Sequence, residues 1–516
     1  MVCLLAIASL WWQAAGLFGS EGVVPVDPRF TDIANRFAAD YRGGAELTNM
    51  PSVLWFGRTD AAITGWCALA SLAALCVVVD VAPAIALLVF WALYLSLAYA
   101  GGVFFAFQWD TLLLETVLLA AVTAPVRGPP RWRRQLSRGG VPTRGPRSGW
   151  GMFGLRLLLA KLLLLSALVK YWSGDPLWHG LSALDVHFWT QPLPGPLAPF
   201  AHAAPEALRR GGEAFMWAVE LGAPLLVLLP WRAARGAAFV GNVALMVGIG
   251  LTGNYGFFNL LTAALALAAL DDGMLPRWAC RLAGAPRADA EAAEATQATE
   301  AAPPVARAPR RSAREQLGRV LGAAGALTLL SLSVLAGVER ADRRGALPPG
   351  LFAPRIALAP LRSFNGYGLF ANMTDYRHEV IVEVRDADGA WRELDFRAKP
   401  DNVDEAMPLV QPHMPRLDWQ FWFAALRSDC EDSPWSMAFA DAVLRGSPPL
   451  ERLLAPGTYL ADAPPERLRM LRYDYRFAEE GSAAWTRRYV GPFCPEVVRR
   501  DGRLRSAPNP SPLPSP

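Results

Sequence analysis

Long apolar runs separated by polar stretches recur along the first 340 residues of the chain. Each approaches the roughly 20 residues that an α-helix needs to cross the hydrocarbon core of a bilayer. The predicted spans cover residues 2–17, 61–79, 83–100, 103–124, 151–172, 215–229, 237–252, 257–270 and 317–338. No charged segment precedes the first run, which favours an uncleaved anchor over a removed signal peptide. The pattern predicts an α-helical multi-pass membrane bundle of about nine spans.

From residue 339 onward the membrane-length runs give way to the short periods of a folded domain. Residues 379–384 alternate, the sequence Asp-Ala-Asp-Gly follows at 386–389, and residues 393–397 alternate again, which predicts a β-hairpin. Behind Pro415, apolar residues recur at helical spacing as far as Leu426. We therefore expect a soluble α+β or β-rich carboxy-terminal domain over residues 339–505. The Pro- and Ser-rich tail, residues 506–516, is expected to be disordered.

The charges of the loops predict an orientation in the membrane. Residues 126–150 hold seven arginines and no acid, whereas the loops 19–60 and 173–214 hold more acids than arginines. Arginine-rich short loops remain cytoplasmic, so the first loop is assigned to the cytoplasm and the other two to the opposite face. Residues 1–270 then form a polytopic membrane domain, 271–316 a low-complexity cytoplasmic linker and 317–338 the last span. This places the 339–505 domain on the non-cytoplasmic side.

Composition agrees with a membrane protein and argues against one class of partner. Hydrophobic residues make up 53% of the 516 residues, which is typical of proteins with several membrane helices. The net charge is only +4, and the arginines cluster in particular loops instead of forming a general surface for polyanions. Membrane lipid is therefore an expected partner, and nucleic acid is not.

The predicted span at 151–172 is unusual because it carries three basic residues, Arg156, Lys161 and Lys170. Two of the three lysines of the whole chain lie in this one helix. Charges within the hydrocarbon cost several kcal/mol unless they pair, reach the interface or face water. We expect Asp110 and Glu115, in the span before it, to be partners for Arg156 or Lys161 and not a paired catalytic acid and base.

A polar, aromatic loop follows this span and contains His179, Asp185 and His187. Their spacing matches no zinc-binding pattern and no third histidine lies nearby, so packing within the loop is the expected role. We therefore predict no metal site and no cofactor.

Seven stretches, taken in order, resemble the lipase maturation factor family over nearly the whole chain. They are GLFGSEGVVP (16–25), FQWDTLLLETVLLA (107–120), TQPLPGP (190–196), LTGNYGFFNLLTAALALAALDD (251–272), NGYGLFANMT (365–374), PHMPRLDWQFWFAAL (412–426) and RYDYRF (472–477). The resemblance implies a multi-pass endoplasmic reticulum protein that helps secreted lipases, notably lipoprotein lipase, or similar client proteins to fold and assemble. In a bacterium the same layout implies an inner-membrane protein with a periplasmic carboxy-terminal domain. No Gly-X-Ser-X-Gly motif occurs, so the chain is not expected to be a lipase itself.

A shorter likeness leaves open an alternative of another class. Residues 168–188 are similar to the membrane domain of vitamin K-dependent carboxylases, in which a lysine at the position of Lys170 serves in the chemistry. Under that alternative the chain is a membrane enzyme with Lys170 as its base. The competing interpretation is a lysine at the end of a helix that extends to the membrane interface.

The predicted helix at 415–426 combines a charged pair with aromatic residues of the kind that dominate protein contacts. The client-binding candidates are Arg416, Asp418, Trp419, Phe421, Trp422 and Phe423. The alternative is that the aromatic residues form the core of the domain. A run of four cannot all face inward on a single helix, so one face is expected to meet the membrane, the hairpin or a client.

Two covalent modifications are also predicted for the carboxy-terminal domain. Cys430 and Cys494 share this domain and can form one disulfide in an oxidising compartment. Asn372 begins an Asn-Met-Thr triplet on the predicted non-cytoplasmic side and is a candidate for glycosylation.

Overall fold

Helices dominate the chain as far as residue 342. The structure, a computed structural model, describes residues 1–39, 45–124, 149–275, 313–342, 345–458, 460, 462–478 and 484–513. In chain order its helices are α1 (Val2–Phe18), α2 (Val26–Ala39), α3 (Ala45–Asn49), α4 (Asp60–Val78), α5 (Pro83–Gly101), α6 (Gln108–Thr123), α7 (Gly149–Ser173), α8 (Pro176–His179), α9 (Ala183–Thr190), α10 (Ala198–His202), α11 (Glu206–Leu228), α12 (Arg232–Thr252), α13 (Phe258–Ala266), α14 (Ala313–Ala341), α15 (Ala353–Ala357), α16 (Arg416–Ala425), α17 (Pro434–Leu444) and α18 (Pro448–Glu451).

Six of the described helices are long and apolar enough to cross a membrane, so the chain is a membrane protein. These candidate spans are Asp60–Val78, Pro83–Phe105, Gly149–Ser173, Glu206–Leu228, Arg232–Thr252 and Ala323–Ala341. Shorter apolar helices, Val2–Phe18 and Phe258–Ala269, occupy two more of the predicted positions. The total of about nine spans therefore stays a prediction.

The predicted span at 103–124 differs from the helix in the structure. Its first residues continue α5 as a 3-10 turn, Gly102–Phe105, and a separate helix of 16 residues, α6, begins at Gln108. α5 ends just before Gly102, whose φ of +51° is unfavourable for residues with a side chain, and extended backbone at Phe107 separates the 3-10 turn from α6. Arg29 fills the space beside this glycine and donates a hydrogen bond of 2.8 Å to the carbonyl of Ala100. The apolar run alone does not reveal this break.

The carboxy-terminal part contains a small antiparallel sheet of five strands in the order β2-β1-β3-β4-β5. The strands are β1 (His378–Arg385), β2 (Trp391–Glu393), β3 (Arg467–Phe477), β4 (Trp485–Arg500) and β5 (Arg503–Ser506). β1 and β2 form a hairpin at the predicted place, with Glu383 opposite Glu393 and Gly389 in the turn with a φ of +84°, but its second strand covers residues 391–393 and not 393–397. The predicted helix is also present as α16, which packs on β1.

The described part of the tail lies against the sheet, and its predicted disorder stays a prediction. Residues 503–506 form the edge strand β5, and the chain then runs back along the sheet. The amide of Ala507 donates to the backbone carbonyl of Glu496, the amide of Ser511 donates to the Glu496 carboxylate, and Arg469 donates to the carbonyl of Pro512. Backbone and charged side chains of the sheet thus provide hydrogen bonds that proline and serine composition does not predict. Most of the predicted cytoplasmic segments, residues 125–148 and 276–312, lie outside the described residues.

Candidate functional site

The six client-binding candidates lie on α16, which is enclosed between the helical bundle and the sheet. Arg416, Asp418, Trp419 and Phe421 are buried, and Trp422 and Phe423 are half-buried. Buried side chains cannot contact a client in this conformation. The burial therefore removes those four from the expected client surface and agrees with the alternative that they form a core.

Arg416 connects the carboxy-terminal part to the bundle through a buried ion pair with Asp110 of α6. Its Nη1 and Nη2 atoms donate to the two Asp110 carboxylate oxygens at 2.8 and 2.7 Å. The hydroxyl of Tyr94 also donates to Asp110, at 2.6 Å, and Arg416 donates to the carbonyl of Phe104 at 2.7 Å. Burial by itself lowers the pKa of Arg416, but the Asp110 carboxylate raises this pKa on balance. Asp110 is thus paired with the carboxy-terminal part and not, as expected, with Arg156 or Lys161.

Trp419 faces the bundle and joins a cluster of aromatic rings. Its ring lies 4.8 Å from that of Trp109, 5.6 Å from Tyr255 and 5.9 Å from Phe107, measured between centroids. Its indole N–H donates to the carbonyl of Asn254 at 3.1 Å. This side of α16 therefore attaches the carboxy-terminal part to the bundle.

Phe421 faces the opposite way, into the core of the carboxy-terminal part. Its ring lies 4.7 Å from Phe396 and 4.9 Å from both Trp435 and Phe439. Beside it Asp418 accepts hydrogen bonds from the amides of Ala398 and Lys399 at 2.7 and 3.1 Å. Burial raises the pKa of Asp418 to about 6, although these amide hydrogen bonds oppose the shift.

Trp422 and Phe423 cover the remaining circumference of the helix. The indole N–H of Trp422 donates to the carbonyl of Thr190 at 3.1 Å, and Phe423 packs 5.8 Å from Phe107. The face that a single domain cannot bury thus meets the bundle and the carboxy-terminal end of α9. These two residues keep part of their surface exposed.

The segment before α16 reaches further into the bundle. The side-chain amide of Asn254 binds this segment twice. Its N–H donates to the carbonyl of Pro408 at 2.8 Å, and its oxygen accepts from the amide of Val410 at 2.9 Å. Gln13 of α1 donates to the carbonyl of Met414 and accepts from the amide of Arg416, at 2.7 and 2.9 Å. We call residues 408–425 the docking segment.

Glu115 and Lys161 form a second buried ion pair, with an N–O distance of 2.6 Å. The hydroxyls of Ser333 and Tyr367 donate to Glu115 at 2.6 and 2.5 Å. The carboxylate therefore joins α6, α7, α14 and the start of the carboxy-terminal part. Arg156, in contrast, lies nearer the surface, 3.6 Å from Asp271.

Lys170 is buried within the helical bundle. Its ammonium donates to both carboxylate oxygens of Glu220 at 2.8 Å, and it lies 5.4 Å from the ring of Trp178. A buried lysine beside a carboxylate on a neighbouring helix has no reason to snorkel, because its charge is compensated where it lies. Glu220 was missed in the sequence, although it is the one acid in the predicted span 215–229.

The three polar residues of the loop go to separate partners. A ring nitrogen of His179 lies 3.0 Å from the carbonyl of Tyr171, Asp185 pairs with Arg209 at 2.6 Å, and His187 lies 3.4 Å from the hydroxyl of Tyr255. Burial, aided by the Lys170 charge, lowers the pKa of His187 to about 4, so its imidazole is neutral near pH 7. Among the described residues no group of three or more metal-ligating side chains occurs.

The two predicted modifications stay predictions. Cys430 and Cys494 are buried free thiols in adjacent backbone segments, since the amide of Cys430 donates to the carbonyl of Phe493 at 3.2 Å. Gel mobility with and without reductant, after alkylation, tests their pairing. The side chain of Asn372 is exposed, as an acceptor of a glycan must be.

Comparison with known proteins matches two family models in the order of the chain. The lipase maturation factor transmembrane domain matches residues 1–277, and the lipase maturation factor C-terminal domain matches residues 363–495. Lipase maturation factor 2 from Homo sapiens is 32% identical over 98% of this chain and 82% of its own length. The protein of that name from Xenopus tropicalis is 30% identical over 97% and 81%, and lipase maturation factor 1 from Bos taurus is 29% identical over 97% and 88%. No solved structure matches.

Proposed function

The chain belongs to the lipase maturation factor family, and on that premise we propose that it is a membrane-embedded factor assisting the folding and assembly of secreted lipases. The observation that carries the proposal is the 32% identity to lipase maturation factor 2, which extends over 98% of the chain and so includes both of its parts. A role in maturation suggests a factor that is not itself an enzyme. Nothing in the comparisons supports the alternative in which Lys170 is a catalytic base.

The docking segment supports a more specific proposal, in which the carboxy-terminal part binds the client while it is attached to the bundle. It anchors the carboxy-terminal part on the bundle through Arg416 and Trp419, so a client bound to that part is held at the membrane. Trp422 and Phe423 keep exposed surface and remain our client-binding candidates. Arg416, Asp418, Trp419 and Phe421 support them through packing.

The test is rescue of lipase secretion in cells that lack their own maturation factor. We expect this chain to raise the activity of secreted lipoprotein lipase per unit of lipase protein. Trp422→Ala is expected to lower that activity several-fold while leaving the carboxy-terminal part resistant to protease, because aromatic anchors dominate protein contacts. No rescue by the unsubstituted chain would overturn the proposed function for this client.

Phe421→Ala, one position away, is the matched control for a core residue. Truncating a buried Phe costs about 3–5 kcal/mol, so both activity and protease resistance should fall. If Trp422→Ala behaves like this control, Trp422 acts through packing. If Trp422→Ala keeps full activity, it has no part in client handling.

We further propose that the carboxy-terminal part faces the lumen of the endoplasmic reticulum in a eukaryotic cell, or the periplasm in a bacterium. The arginine-rich loops support this orientation. Phe200 and Leu409, exposed by 73% and 59%, share the proposed non-cytoplasmic face, and Trp231, exposed by 66%, lies at the other end of α11.

Single cysteines at these three positions test the orientation in cells whose plasma membrane alone is permeabilised. An impermeant maleimide should label Trp231→Cys and spare Phe200→Cys and Leu409→Cys, after subtraction of the parent chain's own labelling. Labelling of the last two before the internal membrane is opened would contradict the orientation. A glycan on Asn372 that is lost in Asn372→Gln would support the luminal side independently.

A further inference from the structure

A cavity of about 350 Å³ lies among α7, α11, α12 and α13. Its walls are mostly apolar and include Leu163, Phe215, Met246 and Phe258. This volume is at the lower end of the range for small-molecule sites and is much larger than ordinary packing defects. The cavity is therefore large enough to hold a small ligand and is not a packing defect.

The cavity opens toward the outer surface of the bundle between α11 and α12. These helices touch at Val219, where a Cβ atom placed on Gly241 would lie 3.3 Å from the valine side chain. Two turns further along α12, no atom lies within 4 Å of the Cβ position of Gly248. Phe215, Ala244 and Gly248 line the cavity and are also exposed at the surface. Because α11 and α12 are both candidate spans, this mouth opens onto the bilayer.

The polar end of the cavity needs no charged ligand. Lys170 and Glu220 both line it, and they neutralise each other through two hydrogen bonds of 2.8 Å. His187 lies beside them and is neutral near pH 7, since its pKa is about 4. An ionic headgroup would gain no net charge complementarity there, whereas an apolar chain would be surrounded by apolar walls.

We propose that this cavity binds one acyl chain of a bilayer phospholipid, which enters between α11 and α12 while its headgroup stays at the membrane surface. The proposal commits to the bilayer as the source because the mouth lies on the surface of two candidate spans. Apolar walls of this kind accept apolar guests. In a membrane, the nearest apolar guest is the lipid chain itself.

The bound chain also supports the docked carboxy-terminal part. Leu369 and Phe370 belong to the carboxy-terminal part and line the cavity. The carbonyl of Phe370 accepts a hydrogen bond of 2.9 Å from Trp178. Phe370 also packs edge-on against His187, with centroids 5.1 Å apart. A ligand that fills the cavity next to these residues stabilises their packing against the bundle by mass action.

Photo-crosslinking on the purified full chain in phosphatidylcholine nanodiscs tests the site. The probe is a phosphatidylcholine with a diazirine in one acyl chain, and labelled residues are located by fragmentation of peptides. We expect labelling at Met246, which lines the cavity and is buried, as well as at Val240, which is exposed on the same helix. Gly248→Phe should lower labelling at Met246 at least fivefold relative to Val240, because the ring obstructs the mouth.

Gly222→Phe is the matched control, since this glycine also has no atom within 4 Å of its Cβ position but does not line the cavity. It should leave the ratio unchanged. If Gly248→Phe is not monodisperse, Ala244→Leu at the same mouth repeats the test. No labelling of Met246 in the parent chain, or an equal ratio in the parent and the mouth variant, would overturn the proposal. Displacement of the label by free palmitic acid would assign the cavity to a fatty acid instead. The assay contains no lipase, so its outcome is independent of the proposed function.

Discussion

Arg416→Met is expected to abolish rescue of lipase secretion and to make the carboxy-terminal part sensitive to protease. The substitution leaves the Asp110 carboxylate buried without its counter-charge, and breaking a buried ion pair in this way costs about 3–5 kcal/mol. This is a large share of the roughly 5–15 kcal/mol that stabilises a typical protein. Limited proteolysis of the membrane-extracted chain, together with secreted lipase activity, measures both effects.

The double variant Asp110→Asn, Arg416→Met separates the unpaired charge from the loss of the arginine side chain. The asparagine is neutral and its oxygen can still accept the hydrogen bond from Tyr94, so most of the protease resistance should return. Arg416→Met with the same resistance and rescue as the parent chain would show that the docking segment does not depend on this ion pair.

Glu115→Leu is expected to reduce the thermal stability of the detergent-purified chain strongly and to lower its yield. It removes the acceptor for Lys161, Ser333 and Tyr367 together and leaves the buried ammonium without its counter-charge. We again expect a loss of about 3–5 kcal/mol. Thermal unfolding followed by size-exclusion chromatography gives the midpoint and the monodisperse fraction.

Arg156→Met in the neighbouring helix is the control for this prediction. Arg156 is partly exposed and lies 3.6 Å from Asp271, and surface ion pairs contribute only about 0–1 kcal/mol. A Glu115→Leu variant no less stable than Arg156→Met would refute the proposal that the Glu115 carboxylate stabilises the contact between these elements. Partial recovery in the double variant Glu115→Leu, Lys161→Met would support it.

The sequence predicts the elements of this protein better than it predicts their contacts. Apolar runs located the candidate spans because burial in lipid requires length and composition, which are local properties. Alternation around residues 379–397 likewise located the hairpin, because the period of a strand is local. The docking of α16 on the bundle depends on residues far away in the chain, and its own period does not identify them.

The charged residues show the same limit. That a carboxylate in a span needs a partner is general physics, and Glu115 has a partner in Lys161. For Asp110 the same reasoning pointed to the nearest predicted basic helix, whereas the partner, Arg416, comes from the carboxy-terminal part. Glu220 carried a signal of equal strength for Lys170, namely a lone acid in an apolar span. No sequence signal indicated the cavity, because it depends on how α11 and α12 pack against each other and not on the sequence of either helix alone.

The pairing of Asp110 with a residue 306 positions later has a consequence for biosynthesis. At the usual rate of about 5–20 residues per second, the ribosome makes Arg416 roughly 15–60 s after Asp110. Throughout that interval the nascent bundle carries a carboxylate whose partner does not yet exist. The bundle therefore reaches its final arrangement only after the docking segment has emerged and folded back onto it.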